Sequence, residues 1–367
     1  MNIAFILHEC SATGAPIAIL NIMELLKKNF KRIKISIFSL KGGEKALAFQ
    51  KLADHFYDIS KSFPEGLINT HFDLFYFNTV ESVHAHEMLA QRGIIKKNAK
   101  IVLHAHEMSV ISEKFGVDKI KKMISKVDLV FCASETVKKN ALNLGFNKKI
   151  IHILHPFSSN LRKKIKHNIT ARTNKKFVVM GCGEISIGKG IDFLIQVAKY
   201  IRDNHPKANI IFKWVGPDNY KLMTFFKWDL QVLNLDRHFT FRGYKKDVYP
   251  EYQNSDIFFL ASRQDSFPLV CIEALSCKLP ILFFEESGGI KKVLSEQCSV
   301  KIPYLDIQAA ANAILTLEAK SDELAEMSSS AFEAYLKFCN MSIQQQSRFI
   351  LLIKSLLAKR RILKDFL

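Results

Sequence analysis

The sequence contains no apolar run of the ~18–20 residues that a helix needs to span a bilayer, so an integral membrane protein is not expected. Nor does Met1-Asn2-Ile3-Ala4 offer the basic opening of a secretory leader; it runs straight into a strand-like segment. The seven cysteines, Cys10, Cys132, Cys182, Cys271, Cys277, Cys298 and Cys339, are odd in number and scattered, with no C-x-x-C pair. That spacing argues against a disulfide framework or a zinc finger and predicts reduced, mostly buried thiols in a cytosolic chain. A P-loop and a full dinucleotide fingerprint are both missing. Acidic residues are the scarce charge: 35 Asp and Glu stand against 53 Lys and Arg, a net +18. Such a field favours anionic partners, whether nucleic acid, an anionic membrane surface or phosphorylated ligands. The abundance of Lys, Asn, Ile and Phe also fits the compositional bias of an AT-rich genome. Nucleic acid is not an expected partner, because no RNP, zinc-module or helix-turn-helix signature occurs.

What is present is a globular composition, 48% hydrophobic and 24% charged over 367 residues, enough for two domains. Strand-like runs at Asn2–His8, Ile33–Leu40, Asp73–Thr79, Lys100–His104 and Asp128–Ala133 alternate with helical spacing at Ile17–Leu26, His84–Arg92 and Ser134–Leu144. Pro16 is expected at the first helical position. Alternation of this kind predicts an α/β domain with a parallel sheet, over residues 1–157. Residues 158–176 carry Arg162, Lys163, Lys164, Lys166, Arg172, Lys175 and Lys176 with no acid, and read as a basic linker. The pattern then restarts over 177–341: a strand at Phe177–Gly181, a turn at Gly183–Gly190, a helix at Ile191–Asp203, and strands at Ile210–Val215, Asp256–Ala261 and Pro280–Phe284. Residues 342–367 form a helical tail rich in Leu, Ile and Lys.

Two glycine turns follow the first strand of each domain, at Gly14 and at Gly181, Gly183, Gly188 and Gly190. Turns placed there let backbone amides and a helix N-terminus approach a phosphate, although turn geometry alone also accounts for glycine. The segment Ser262-Arg263-Gln264-Asp265-Ser266-Phe267-Pro268-Leu269-Val270-Cys271-Ile272-Glu273-Ala274 sets two carboxylates eight positions apart after a strand. A carboxylate one turn into a helix can accept two hydrogen bonds from a ribose diol.

The spacing Asp265…Glu273 resembles the E-x7-E motif of the family 4 glycosyltransferases, in the variant that opens on Asp. Phe241-Arg242-Gly243-Tyr244, Tyr252-Gln253-Asn254-Ser255-Asp256, Pro280, Gly288-Gly289 and Gly181-Cys182-Gly183…Gly188-Lys189-Gly190 fit the same family, strongly over 177–295. In the first domain Thr13-Gly14-Ala15-Pro16 and His104-Ala105-His106-Glu107 fit more thinly. The resemblance implies a GT-B architecture: two Rossmann-like domains facing across a cleft, with the C-terminal helix returning to the first. It implies a hexosyltransferase-type enzyme (EC 2.4). That enzyme would move sugar with retention from a UDP- or GDP-type nucleotide sugar to a glycan or lipid-linked acceptor, in lipopolysaccharide or surface polysaccharide synthesis.

By the same resemblance, Glu273 would bind the ribose and Asp265 would sit by the donor sugar. The amides of Phe267, Pro268 and Leu269 would meet sugar hydroxyls or phosphate. Lys189 would bind the diphosphate, with Gly14 and Gly183 allowing close approach, and His106 would lie by the donor sugar. Family members often carry Arg five residues before the Lys; here that position is Glu184. Either Glu184 points away or another cation such as Arg263 helps. No metal or other cofactor is expected, since the D-x-D of metal-dependent transferases does not occur. The chain would be cytoplasmic, free or peripheral on the inner membrane, with Lys359–Lys364 as the stretch open to anionic lipid.

Two rival readings carry their own residues. A non-catalytic GT-B subunit docking on membranes or partner enzymes would explain Glu184. A metal-dependent hydrolase would use His104 and His106, which share one face of a strand, with Glu107 as base. The matching His84 and His86 fall on a helical stretch, where i and i+2 diverge.

Overall fold

The structure, a computed structural model, describes residues 1–64, 66–157 and 176–364. It divides into two compact units, Met1–Ser159 with Met341–Leu367, and Asn160–Asn340. Most of the linker expected at 158–176 lies outside the described residues.

The first unit is built on seven strands: β1 (Asn2–Leu7), β2 (Lys34–Ser39), β3 (His55–Asp58), β4 (Leu74–Asn78), β5 (Lys100–Ala105), β6 (Leu129–Cys132) and β7 (Ile151–Ile153). All pair parallel, in the order β3-β2-β1-β4-β5-β6-β7. Its central strands are buried on both faces, which is why they read as continuous apolar runs rather than alternating ones. Helix α1 (Gly14–Asn29) buries Ala18, Ile19, Ile22, Met23 and Leu26 on one face and ends in Lys27 and Lys28, where its dipole favours cations. It starts two residues earlier than the sequence suggests. Pro16 is its third residue, a position where the missing N–H still costs no intrahelical bond.

The chain then runs through α2 (Ala46–Leu52), α3 (His84–Gln91), α4 (Ser109–Phe115), α5 (Val117–Ile124) and α6 (Glu135–Asn143). On α3, His86 is buried and His84 exposed, the divergence expected of i and i+2 on a helix.

The second unit repeats the plan with β8 (Phe177–Cys182), α7 (Ile191–Asn204), β9 (Ile210–Val215), α8 (Tyr220–Val232), β10 (Phe239–Phe241), α9 (Tyr249–Gln253), β11 (Ile257–Leu260), α10 (Leu269–Ser276), β12 (Ile281–Phe284), β13 (Ser299–Ile302) and α11 (Ile307–Ala319). Its parallel sheet runs β10-β9-β8-β11-β12-β13. A 44-residue helix, α12 (Ser321–Lys364), follows. Within the second unit its Phe338 stacks on Phe267, centroids 5.7 Å apart. Within the first unit its Phe349 packs edge-on against Phe131 and Tyr76.

Both sheets are doubly wound and reverse direction beside their first strand, between β1 and β4 and between β8 and β11. In such sheets the loops leaving the carboxyl ends at the reversal form the crevice for ligands. The stretches 13–16, 183–190 and 262–268 fall in those loops or at the helix start that follows, while 104–107 closes the neighbouring β5 and Gly288-Gly289 follows the neighbouring β12.

Candidate active site

In the second unit, the turn after β8 is fixed by glycines and by one arginine. Gly190 closes the turn with φ +72°, and a Cβ there would lie 1.9 Å from the Ala261 carbonyl oxygen at the end of β11. The two loops therefore touch backbone to backbone, which only glycine permits. Arg263 binds the turn from the β11 side. Its amide donates to the Gly188 carbonyl, and its guanidinium donates to Ile187 O and, in bidentate fashion, to both oxygens of Asp192 at 3.0 and 2.7 Å. The same group lies over the Phe193 ring. Arg263 thus holds the loop in the unliganded chain, a role the sequence did not offer beside that of a donor-binding cation.

Lys189 leaves this turn toward Asp265, with Nζ 2.5 Å from Oδ2. Burial alone would lower the Lys189 ammonium; the carboxylate beside it more than reverses that, so the lysine is raised and stays charged. Asp265 is held by its backbone. Its amide donates to Ser287 O at 2.6 Å, and Gly289 donates to its carbonyl at 3.0 Å. Gly288 (φ +136°) lies so close to that carbonyl that any Cβ would collide with it. This is the physical role of the Gly288-Gly289 pair. Glu184 is exposed.

Helix α10 begins at Leu269. The amides of Leu269 and Val270 have no acceptor among the described residues, as expected for the first turn of a helix. Gly183, with φ +146°, sits against the aliphatic stem of Lys189. Pro268 corrects one expectation: it has no N–H, so of the three residues Phe267, Pro268 and Leu269 only two carry an amide. The Phe267 side chain is buried against Phe338 and so is structural. One turn on, Glu273 Oε2 accepts from the Tyr252 hydroxyl at 3.0 Å. Tyr252 is fully buried, and burial, with Cys182 and Glu273 beside it, holds its phenol well above the ordinary range. Burial also pushes the neighbouring Cys182 thiol up to about 12, so it is inert at neutral pH.

The corresponding edge of the first unit is built from neutral rings, an amide and one buried carboxyl, Glu107. Leu7, Asn78 and His104 stand side by side across β1, β4 and β5. Asn78 Nδ2 donates to Ala15 O at 3.3 Å, which turns its Oδ1 toward His106 Nε2 at 3.0 Å. An amide oxygen only accepts, so His106 carries a proton on Nε2. Burial, then His104 and His8, hold His106 well below the ordinary histidine range. His104 lies 4.2 Å away, ring to ring, with Nδ1 on the Tyr76 hydroxyl, and burial lowers it to about 3. Glu107 accepts from the Val80 and His106 amides, both at 2.9 Å. Burial pushes its carboxyl up to about 7 against those two bonds. Between them Thr79 is held at φ +76°, a strained value for a β-branched residue. At Gly14 an added Cβ would meet nothing within 4 Å. Among the described residues no three His, Cys, Asp or Glu side chains converge to hold a metal ion.

Known proteins share this fold. HepE of Anabaena, solved in complex with UDP, superposes with a TM-score of 0.76 at 17% identity, covering 97% of this chain and 100% of that one. Sucrose-phosphate synthase of Thermosynechococcus elongatus gives 0.74 at 15% identity, over 97% and 100%. The fold is that of the GT-B glycosyltransferases. Residues 162–334 match the family model described as glycosyl transferases group 1. An uncharacterized glycosyltransferase of Methanocaldococcus jannaschii is 24% identical over 300 residues, 76% of this chain and 71% of that protein. The UDP-Gal:alpha-D-GlcNAc-diphosphoundecaprenol alpha-1,3-galactosyltransferase of Escherichia coli is 28% identical over 152 residues, 41% of this chain and 39% of that one. An uncharacterized glycosyltransferase of Haemophilus influenzae matches over only 36% of either chain.

Within the GT-B frame, sequence reasoning passed over four partners: Asp192 for Arg263, Ser287 for Asp265, Tyr252 for Glu273 and Asn78 for His106. Tyr252 stood inside a recognised motif. The other three carry no local signal, because each meets its partner only when separate strands are brought side by side.

Proposed function

We propose that the chain is a retaining glycosyltransferase that moves a hexosyl group from a nucleotide diphosphate sugar to a glycan or lipid-linked acceptor. The synthesis of a bacterial lipopolysaccharide or another surface polysaccharide is its proposed setting. One observation carries the reading: the Lys189–Asp265 pair stands between the glycine turn after β8 and the amide-bearing start of α10, with Glu273 one turn away. HepE, solved with UDP and with UDP-glucose, supports a UDP-type donor. The diphosphoundecaprenol acceptor named for the E. coli relative supports a lipid-linked one, met by a cytoplasmic enzyme at the inner membrane.

In the free protein Asp265 neutralises Lys189. A donor diphosphate exchanges for that carboxylate at the ammonium and leaves Asp265 to accept hydroxyls of the sugar. Glu273, oriented by Tyr252, accepts from the ribose. As the anomeric C–O bond breaks, negative charge grows on the leaving phosphate. The Lys189 ammonium and the first amides of α10 are already in place to receive it, so little reorganisation opposes the step. The acceptor oxygen bonds to the anomeric carbon on the same face, and its proton passes to the leaving phosphate, which preserves the configuration. Gly14 lets the diphosphate approach the start of α1, and neutral His106 donates to or accepts from a sugar hydroxyl without competing for phosphate. In this scheme Lys189 and the amides take the part a divalent ion plays elsewhere, and no metal is required.

Thermal unfolding against UDP, GDP, dTDP, CMP and their sugars, with and without EDTA, tests the reading. Ligand at about 100 times its Kd stabilises by about 2.7 kcal/mol. The expected result is a shift with one nucleotide class that EDTA leaves intact and Glu273→Gln removes. Lys189→Ala should lower kcat/KM about 100-fold or more, and should also lower unliganded melting, because Asp265 is left without its counter-ion. No shift with any nucleotide would favour a non-catalytic docking subunit, and a shift abolished by EDTA would favour the histidine pair.

A further inference from the structure

Helix α8 is apolar on both sides. Its inner face, Met223, Phe226 and Leu230, is buried in the core of the second unit. Its opposite face carries Phe225, Trp228 and Val232, spaced three and four apart and 67%, 64% and 58% exposed, with Tyr220 at the helix start 85% exposed. A helix that only packs on a sheet needs one apolar stripe; the second meets no partner among the described residues. An aromatic side chain offers ~150–250 Å², so at these exposures the stripe presents on the order of 500 Å². A stable protein–protein interface needs about 800 Å² on each side, polar rim included, so the stripe alone falls short of one. It suits shallow insertion into a lipid interface, where a few aromatic residues and flanking lysines suffice. Lys221 stands on the same outward face, and the single acid in the helix is Asp229. The chain as a whole carries +18.

We infer that α8 docks the protein on an anionic lipid surface, with Phe225, Trp228 and Val232 inserted among the headgroups and Lys221 against their phosphates. The inference stands apart from the transfer chemistry, because it needs neither donor nor acceptor and is read on unliganded protein.

The chain holds two tryptophans, and the other, Trp214, is buried beneath Gly181, so Trp228 is the fluorophore that reports the surface. The full chain is titrated with vesicles of phosphatidylcholine plus phosphatidylglycerol, and with phosphatidylcholine alone. The expected result is a blue shift with the anionic vesicles, quenched when the acyl chains are brominated near the headgroup and weakened by salt. The double variant Phe225→Ser/Val232→Ser keeps the reporter and should lower the partition coefficient at least about tenfold. Its melting temperature should stay at the wild-type value, since both residues are exposed. Absence of a blue shift, or binding of the double variant equal to wild type, overturns the inference. So does a blue shift that grows with protein concentration in the absence of vesicles and accompanies dimer formation in sedimentation, which would assign the stripe to a second copy of the chain.

Discussion

The two sheets share a winding order and differ in the chemistry at their reversal points. The first unit places neutral, buried rings there: His104 on Tyr76 and His106 on Asn78. The second places ions, each with a counter-ion: Lys189 on Asp265 and Arg263 on Asp192. Backbone topology therefore decides where a ligand can be met, and side chains decide what is met. A neutral edge suits hydroxyl-rich, uncharged surfaces, while an edge of paired ions can exchange an internal carboxylate for a phosphate. The two glycine turns differ in the same sense. Gly190 is required by the protein itself, whereas Gly14 answers no contact within 4 Å.

The largest effect is expected where the turn is locked by backbone. Gly190→Ala forces a left-handed φ on a residue with a Cβ and drives that Cβ into the Ala261 carbonyl. The cost should reach about 3 kcal/mol or more, enough to lower the melting temperature by several degrees or to prevent accumulation of folded protein. A Gly190→Ala protein that melts with wild type would mean that the turn and β11 do not touch, and the two edges would lose their main structural contrast.

The same contrast shows which parts of the molecule the sequence reveals. The central strands of both sheets are continuous buried runs, and these were legible. The four strands without a sequence signal, β3, β7, β10 and β13, are the four sheet edges. They are three or four residues long and partly exposed, so no apolar run marks them. The long helix α12 begins at Ser321, well before the Leu- and Ile-rich tail that announced it, because its earlier turns are mostly polar. At the site, Asp265, Glu273, Lys189 and the glycines were visible because their spacing is local. Arg263 was legible as a cation but not as a loop clamp, since Asp192 lies on α7, far from it in sequence.

Acid should separate the two units next. Burial lowers His8, His86, His104, His106 and His152, all in the first unit. A histidine whose folded pKa lies below its unfolded value stabilises the fold above about pH 6.5 and loses that contribution as pH falls. For the fully buried His104 and His106 the loss is about 1.4 kcal/mol per pH unit each. Glu107 runs the other way. Its folded pKa, about 7, lies above the unfolded value, so protonation on acidification favours the folded state and offsets roughly one histidine. The balance is a net loss of about 1–2 kcal/mol per pH unit below pH 6 in the first unit. Hydrogen exchange corrected for intrinsic rates, compared between neutral and mildly acidic buffer, should show strands β4 and β5 losing protection before β8 and β11. Equal loss in both sheets would remove the electrostatic half of the comparison.

The smallest effect on stability should come from Gly14→Ala, and it is informative for that reason. Gly14 is the first residue of α1, and its amide and that of Ala15 have no acceptor among the described residues. The added methyl meets no atom of the protein within 4 Å, and alanine is the better helix former. Melting of the unliganded variant should therefore match wild type or rise by up to about 0.5 kcal/mol in stability. If a donor diphosphate rests on those open amides, the methyl occupies its closest approach, and nucleotide-sugar affinity should fall about tenfold, a change of about 1.4 kcal/mol. Calorimetric titration of the same protein samples reads both numbers. Unchanged affinity with unchanged stability would mean that Gly14 serves neither packing nor ligand, and that the ion-lined edge of the second unit binds the diphosphate without the start of α1.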